Sequence, residues 1–151
     1  MIRWGTAPGS GAGAEIVARV TDVRMWKMNE RLWYKDAIIY GIDLSYFQDG
    51  NGDGTGDFQG ATRRLGYLRN LGINCIWLLP FYPSPQQDNG YDIEDYYHVG
   101  PQFGTLTDFE RFVHEAGEFG VRVITDLVVN HTSNQHPWFQ AARSDPTSRF
   151  R

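Results

Sequence analysis

The sequence predicts an α/β chain built on a parallel sheet, and three observations carry that expectation. Short apolar runs rich in β-branched residues alternate with amphipathic helical segments. Each helical segment is followed, after a single glycine (Gly72 or Gly120), by the next apolar run, as in a tight αβ turn. The opposite connections, from strand to helix, are long, polar and aromatic. Continuous apolar strands joined by helices need cover on both faces, which is the parallel arrangement.

Residues 1–27 stand apart. They carry Gly5, Pro8, Gly9, Gly11 and Gly13 and one short periodic piece, Glu15 to Val23. They are expected to be a disordered or spurious extension, with Met28 as a natural start of the patterned chain. Ala37 to Asp43 predicts the first strand, and Ala61, Leu65, Leu68 and Leu71 a helix stopped by Gly72. Ile73 to Leu79, closed by Pro80, predicts the second strand. Thr107 with Glu110 three residues on resembles a capping box, followed by a helical face of Phe109, Phe112, Val113 and Ala116. Val121 opens the third strand, which is expected to run on through Asp126 towards Asn130 and His131.

Bulk properties narrow the function. The 151 residues are 41% hydrophobic and 15% aromatic, with a net charge of -4, ample for a core and without the basic runs that nucleic acid or an anionic membrane would need. The single cysteine, Cys75, excludes an intrachain disulfide and is expected in the core. No apolar stretch has the roughly 18 residues of a membrane span. No secretory signal core is visible, so a cytoplasmic location is expected.

Asp126 lies within an apolar run that ends in Asn130 and His131. Buried polar groups need partners, so either these three satisfy one another or the strand delivers them to a site. In parallel sheets the chemistry gathers at the C-terminal strand ends. Three polar loops, 49–57, 88–92 and 130–136, follow the three strands, which favours the site. Asp49, Asn51, Asp53, Thr55 and Asp57 place an oxygen at every second residue among glycines. That pattern suits Ca²⁺, with Thr55 contributing its carbonyl. Gly60 stands where an EF-hand needs glutamate, so a Ca²⁺ loop of another fold is expected, the alternative being a plain Gly/Asp turn. Asp88-Asn89-Gly90-Tyr91-Asp92 offers a carboxylate for sugar hydroxyls beside a ring for the apolar sugar face; alone it is a weak pattern.

Asp126-Leu127-Val128-Val129-Asn130-His131, Asp49–Asp57 and Asp88-Asn89-Gly90-Tyr91 together resemble motifs of the α-amylase superfamily, glycoside hydrolase family thirteen. Trp33-Tyr34-Lys35-Asp36-Ala37 and Trp77 to Pro85 are similar to its trehalose synthase and oligo-1,6-glucosidase branch. The resemblance spans residues 33–151. It implies a (β/α)8 barrel of which this chain would hold the first three β/α units, an incomplete barrel. Residues 28–131 would begin the catalytic barrel, and 132–151 would begin a loop domain inserted after strand three. It further implies a retaining enzyme acting on a small α-glucoside such as maltose or trehalose. Asp88, Tyr91 and His131 would bind a glucose unit, Asp126 and Asn130 would support the pocket, and Asp49–Asp57 would bind Ca²⁺. The family's catalytic carboxylates belong to later strands, so the 151 residues alone are expected to be inactive and aggregation-prone. A non-catalytic calcium- or sugar-binding module and an open flavodoxin-like protein are the competing expectations. The last lacks a glycine-rich phosphate loop after its first strand.

Overall fold

The computed structural model describes residues 32–151; the expected extension, residues 1–27, lies outside them. A 3₁₀ turn at Trp33–Asp36 leads into strand β1, Ile39–Ile42. Asp43 ends β1, and its side chain accepts from the Ser45 N–H to cap the one-turn helix α1, Leu44–Phe47. Asp57 likewise caps α2, Phe58–Arg63. The predicted single helix over residues 61–71 is two pieces, α2 and then α3, Leu65–Asn70, meeting at Arg64. There the Arg64 N–H is shared between the carbonyls of Ala61 and Thr62, which tightens the turn. Gly72, at φ +93°, stops α3 as its position predicts. Strand β2 spans Cys75–Leu78, helix α4 Leu106–Glu118, strand β3 Arg122–Thr125 and helix α5 Pro137–Ser144.

The three strands form one parallel sheet in the order β1-β2-β3. Ile39 pairs with Cys75 and Cys75 with Arg122; Ile42 pairs with Leu78 and Leu78 with Thr125. The expected α/β class with a parallel sheet is therefore present. Strand lengths differ from expectation. β3 ends at Thr125, so Asp126 lies just outside it and Leu127 and Val129 are 79% and 81% exposed. The reason is the neighbour: Pro80 has no N–H, and β2 offers nothing to pair with beyond Leu79.

Helix α4 starts two residues earlier than predicted. The capping box is formed by Thr105 and Asp108, each side chain accepting from the other's backbone N–H. Thr107 and Glu110 do not form it. The predicted apolar face holds: Phe112 and Ala116 are fully buried, with Phe109 and Val113 packed beside them. Phe58 is the hub, its ring 5.2 Å from Phe81, 5.4 Å from Phe109 and 5.7 Å from Phe112. Such a side chain contributes about 1.5–3 kcal/mol by burial alone. Cys75 is buried and unpaired, as expected.

The helices cover one sheet face, that of Ile42, Ile76 and Leu78. Right-handed crossovers that advance the sheet in one direction lay successive helices on the same side. The other face is only partly covered among the described residues: Cys75 is buried, but Ile39 is 49% and Trp77 39% exposed. The full burial on both faces that the apolar runs imply is not seen there.

Candidate functional site

All three strands point their C-terminal ends to one rim. Asp126 reaches it because its N–H donates to the Leu78 carbonyl at 3.3 Å, one step past β3. Its carboxylate is then held from two directions: the Trp77 indole Nε1 donates to Oδ1 at 2.9 Å, and the Tyr91 hydroxyl donates to Oδ2 at 2.7 Å. The Tyr82 hydroxyl reaches the Asp126 carbonyl at 3.4 Å. The Tyr91 hydroxyl's own bond to the Asp126 carboxylate is the main reason the Tyr91 pKa is pushed up to about 12, followed by burial and the charges of Asp126, Asp88 and Asp43. Tyr91 is thus a neutral donor at any physiological pH.

Asp88 sits on a tight loop organised by Asp92. The Asp92 carboxylate accepts from the Ser84 hydroxyl at 2.7 Å, the Gln87 N–H at 3.0 Å and the Asp88 N–H at 3.2 Å. Burial works to raise its pKa, but these hydrogen bonds win and hold it below the usual value. Gln86 and Asn89 have φ of +57° and +49°, a strain that surrounding bonds must maintain, while Gly90 takes φ +88° freely. Asp88 is exposed, close enough to Tyr91 for its charge to be felt.

His131 is exposed and its ring meets Asn130, Nδ2 to Nδ1, at 3.1 Å. Its carbonyl accepts from the Tyr96 hydroxyl at 2.8 Å, and the Tyr96 ring lies 6.1 Å from that of Tyr82. Tyr91 and Asp126 are therefore in direct contact, Asp88 stands beside them, and His131 connects through Tyr96 and Tyr82. Sequence reasoning assigns no role to Asp43, Trp77, Tyr82 or Tyr96. Trp77 alone left a signal: period two in β2 sets it on the face opposite Ile76 and Leu78.

Beyond Tyr96, the Trp138 ring stacks at 6.2 Å and Phe150 follows at 5.5 Å. His136, buried, caps α5 by accepting the Trp138 N–H.

In the 49–57 loop the carboxylates turn first to the backbone. Asp49 accepts from the N–H groups of Asn51, Gly52 and Gly54, Asp53 from Thr55, and Asp57 from Gly50 and Gly60. Among the described residues no three His, Cys, Asp or Glu side chains are grouped as metal ligands. The loop's further donors, the Asn51 amide and the Thr55 carbonyl, are hard oxygens of the kind Ca²⁺ accepts.

Residues 42–151 match the model of the α-amylase catalytic domain. The trehalose synthase/amylase TreS of Mycobacterium tuberculosis is 54% identical over 118 residues, 78% of this chain and 20% of that protein. Trehalose-6-phosphate hydrolase of Bacillus subtilis is 47% identical over 125 residues, 83% of this chain and 22% of that protein. A solved MutB mutant in complex with glucose superposes with a TM-score of 0.75 at 46% identity, covering 78% of this chain and 21% of that one. The chain spans about a fifth of the length of these relatives.

Proposed function

The chain belongs to the α-amylase catalytic-domain family, and from that premise we propose that it forms the first three β/α units of a (β/α)8 barrel acting on α-glucosidic bonds. The activity we favour is interconversion of maltose and trehalose with retention. The observation that carries the reading is the Tyr91–Asp126 contact, which joins the loop after β2 to the end of β3 at a single rim. It fits a platform for one glucose unit: the Tyr91 ring covers the apolar sugar face, Asp88 accepts from its hydroxyls, and His131 bonds its primary hydroxyl. Asp126 and Asn130 hold Tyr91 and His131 in place.

Retaining glycosidases use a close pair of carboxyl groups, one nucleophile and one acid/base. The acids of this chain have binding and supporting roles in our reading, since Asp126 already accepts from two donors. The 49–57 loop would take Ca²⁺ through Asp49, Asn51, Asp53 and Asp57 and the Thr55 carbonyl, and the ion would stiffen the loop between α1 and α2.

A hydrolase is the second reading, favoured by the similar identity of this stretch to a trehalose-6-phosphate hydrolase. Titration with maltose and with trehalose, followed by tryptophan fluorescence, tests the pocket. Tyr91→Ala should weaken binding about tenfold or more, a loss of roughly 1.4 kcal/mol. Absence of saturable binding by either sugar sinks the reading. In a whole (β/α)8 barrel that includes these residues, trehalose as the product from maltose marks the isomerase and free glucose the hydrolase.

A further inference from the structure

We propose that Trp77 is a positioning residue of this pocket: its indole N–H fixes the Asp126 carboxylate, and Asp126 thereby sets the Tyr91 hydroxyl. The proposal rests on Tyr91 being the sugar platform. Trp77 stands in β2, in register with Gly41 of β1 and Ile124 of β3. A Cβ built on Gly41 would lie 3.4 Å from the Trp77 ring, so the indole lies across the glycine. From there Nε1 reaches Asp126 Oδ1 at 2.9 Å while Tyr91 takes Oδ2 at 2.7 Å.

A carboxylate bound at one oxygen can rotate about its own axis. Bound at both, by donors from a strand and from a loop, it has one orientation. Both donors are neutral, so salt does not screen the arrangement. Packing alone does not explain an indole here, because the residue is 39% exposed. The donor, aimed at the carboxylate, is what an indole adds.

The test follows the Tyr91 phenol by NMR of tyrosine labelled at Cζ, assigned with Tyr91→Phe. Two changes delete the Trp77 donor: Trp77→Phe, and site-specific benzothienylalanine, which keeps the ring's shape and replaces N–H by sulfur. The expected result is a Tyr91 pKa falling below about 12 in both, though less far than in Asp126→Asn, which removes the carboxylate charge as well, with weaker maltose binding. The benzothienyl variant keeps the test open should the phenyl variant fail to fold. A Tyr91 pKa that stays near 12 in the benzothienyl variant overturns the proposal. So does a fallen pKa with maltose affinity retained. If Tyr91→Ala also binds maltose normally, the platform reading falls with it; if Tyr91→Ala does not bind, only the Trp77 relay falls.

Discussion

Nδ1 of His136 accepts the backbone N–H of Trp138 at 3.0 Å, and that bond fixes the state of the ring. An accepting Nδ1 carries no proton, so the imidazole is neutral with its proton on Nε2. Burial pushes the His136 pKa below 6.5, with the charge of Asp95 pulling the other way. The unfolded chain therefore takes up this proton at higher pH than the folded one. The capping contribution is complete above 6.5 and is lost as pH falls through the folded value. The thermal midpoint should decline on acidification across this window, by the equivalent of a helix cap, about 1 kcal/mol. His136→Asn caps without titrating and should flatten the decline. An equally steep decline in that variant would assign the effect to other groups.

Gly56 in the 49–57 loop and Gly60 in α2 are required where the chain packs against α1 and the residue that follows it. A Cβ on Gly56 would overlap the Leu44 carbonyl oxygen, and one on Gly60 the Gln48 carbonyl oxygen. Both obstacles are backbone, which cannot swing away. Gly56→Ala and Gly60→Ala should each cost about 1–3 kcal/mol or more in urea unfolding. Gly52 meets nothing within 4 Å but has φ +89°, so Gly52→Ala should cost only about 1 kcal/mol. Equal costs at Gly52 and Gly60 would contradict the steric account.

The alternation of strand and helix was legible because each apolar run has a period its neighbour lacks, and because Gly72 and Gly120 mark both αβ turns with positive φ. Strand ends were not, since they depend on a partner: β3 stops where Pro80 ends the neighbouring ladder, whatever the β-branched character of Val128 and Val129. The Thr105–Asp108 box was hidden by a second Thr two residues on and by an Asp in the place usually held by Glu or Gln. At the rim, the residue types of Asp88, Tyr91 and Asp126 suggested a site, but no spacing reveals that Tyr91 and Asp126, 35 positions apart, share a hydrogen bond. The aromatic chain from Tyr82 through Tyr96 to Trp138 is likewise a product of tertiary packing.

The register of the α4 cap can be tested by a pair of substitutions. Thr105 accepts the Asp108 N–H at 3.2 Å, whereas Thr107 is exposed with no role in the box. Thr105→Ala should lower stability by about 1 kcal/mol, and Thr107→Ala by much less. The urea midpoint of each reads the difference directly. A larger loss at Thr107 would move the helix start back to the place the sequence pattern suggested.

Asp49 links the loop's own order to the ion we propose for it. Its carboxylate is held below the ordinary 3.8 chiefly by the N–H bonds from Gly52 and Gly54, against an opposing effect of burial. Its stabilising contribution is thus present above 3.8 and lost as pH falls through the folded value. Ca²⁺ needs the same charged form, so both should disappear together on acidification. At neutral pH, Ca²⁺ at about 100 times its dissociation constant should add roughly 2.7 kcal/mol of stability, reversible by chelator. Mg²⁺ should do less, because it prefers its own water to a flexible ring of protein oxygens. Asp49→Asn removes the charge while keeping one acceptor oxygen, so it should abolish the Ca²⁺ response and disturb the ion-free loop only mildly. A thermal midpoint indifferent to Ca²⁺ in the unsubstituted chain would leave this loop as a Gly/Asp turn closed by its own carboxylates.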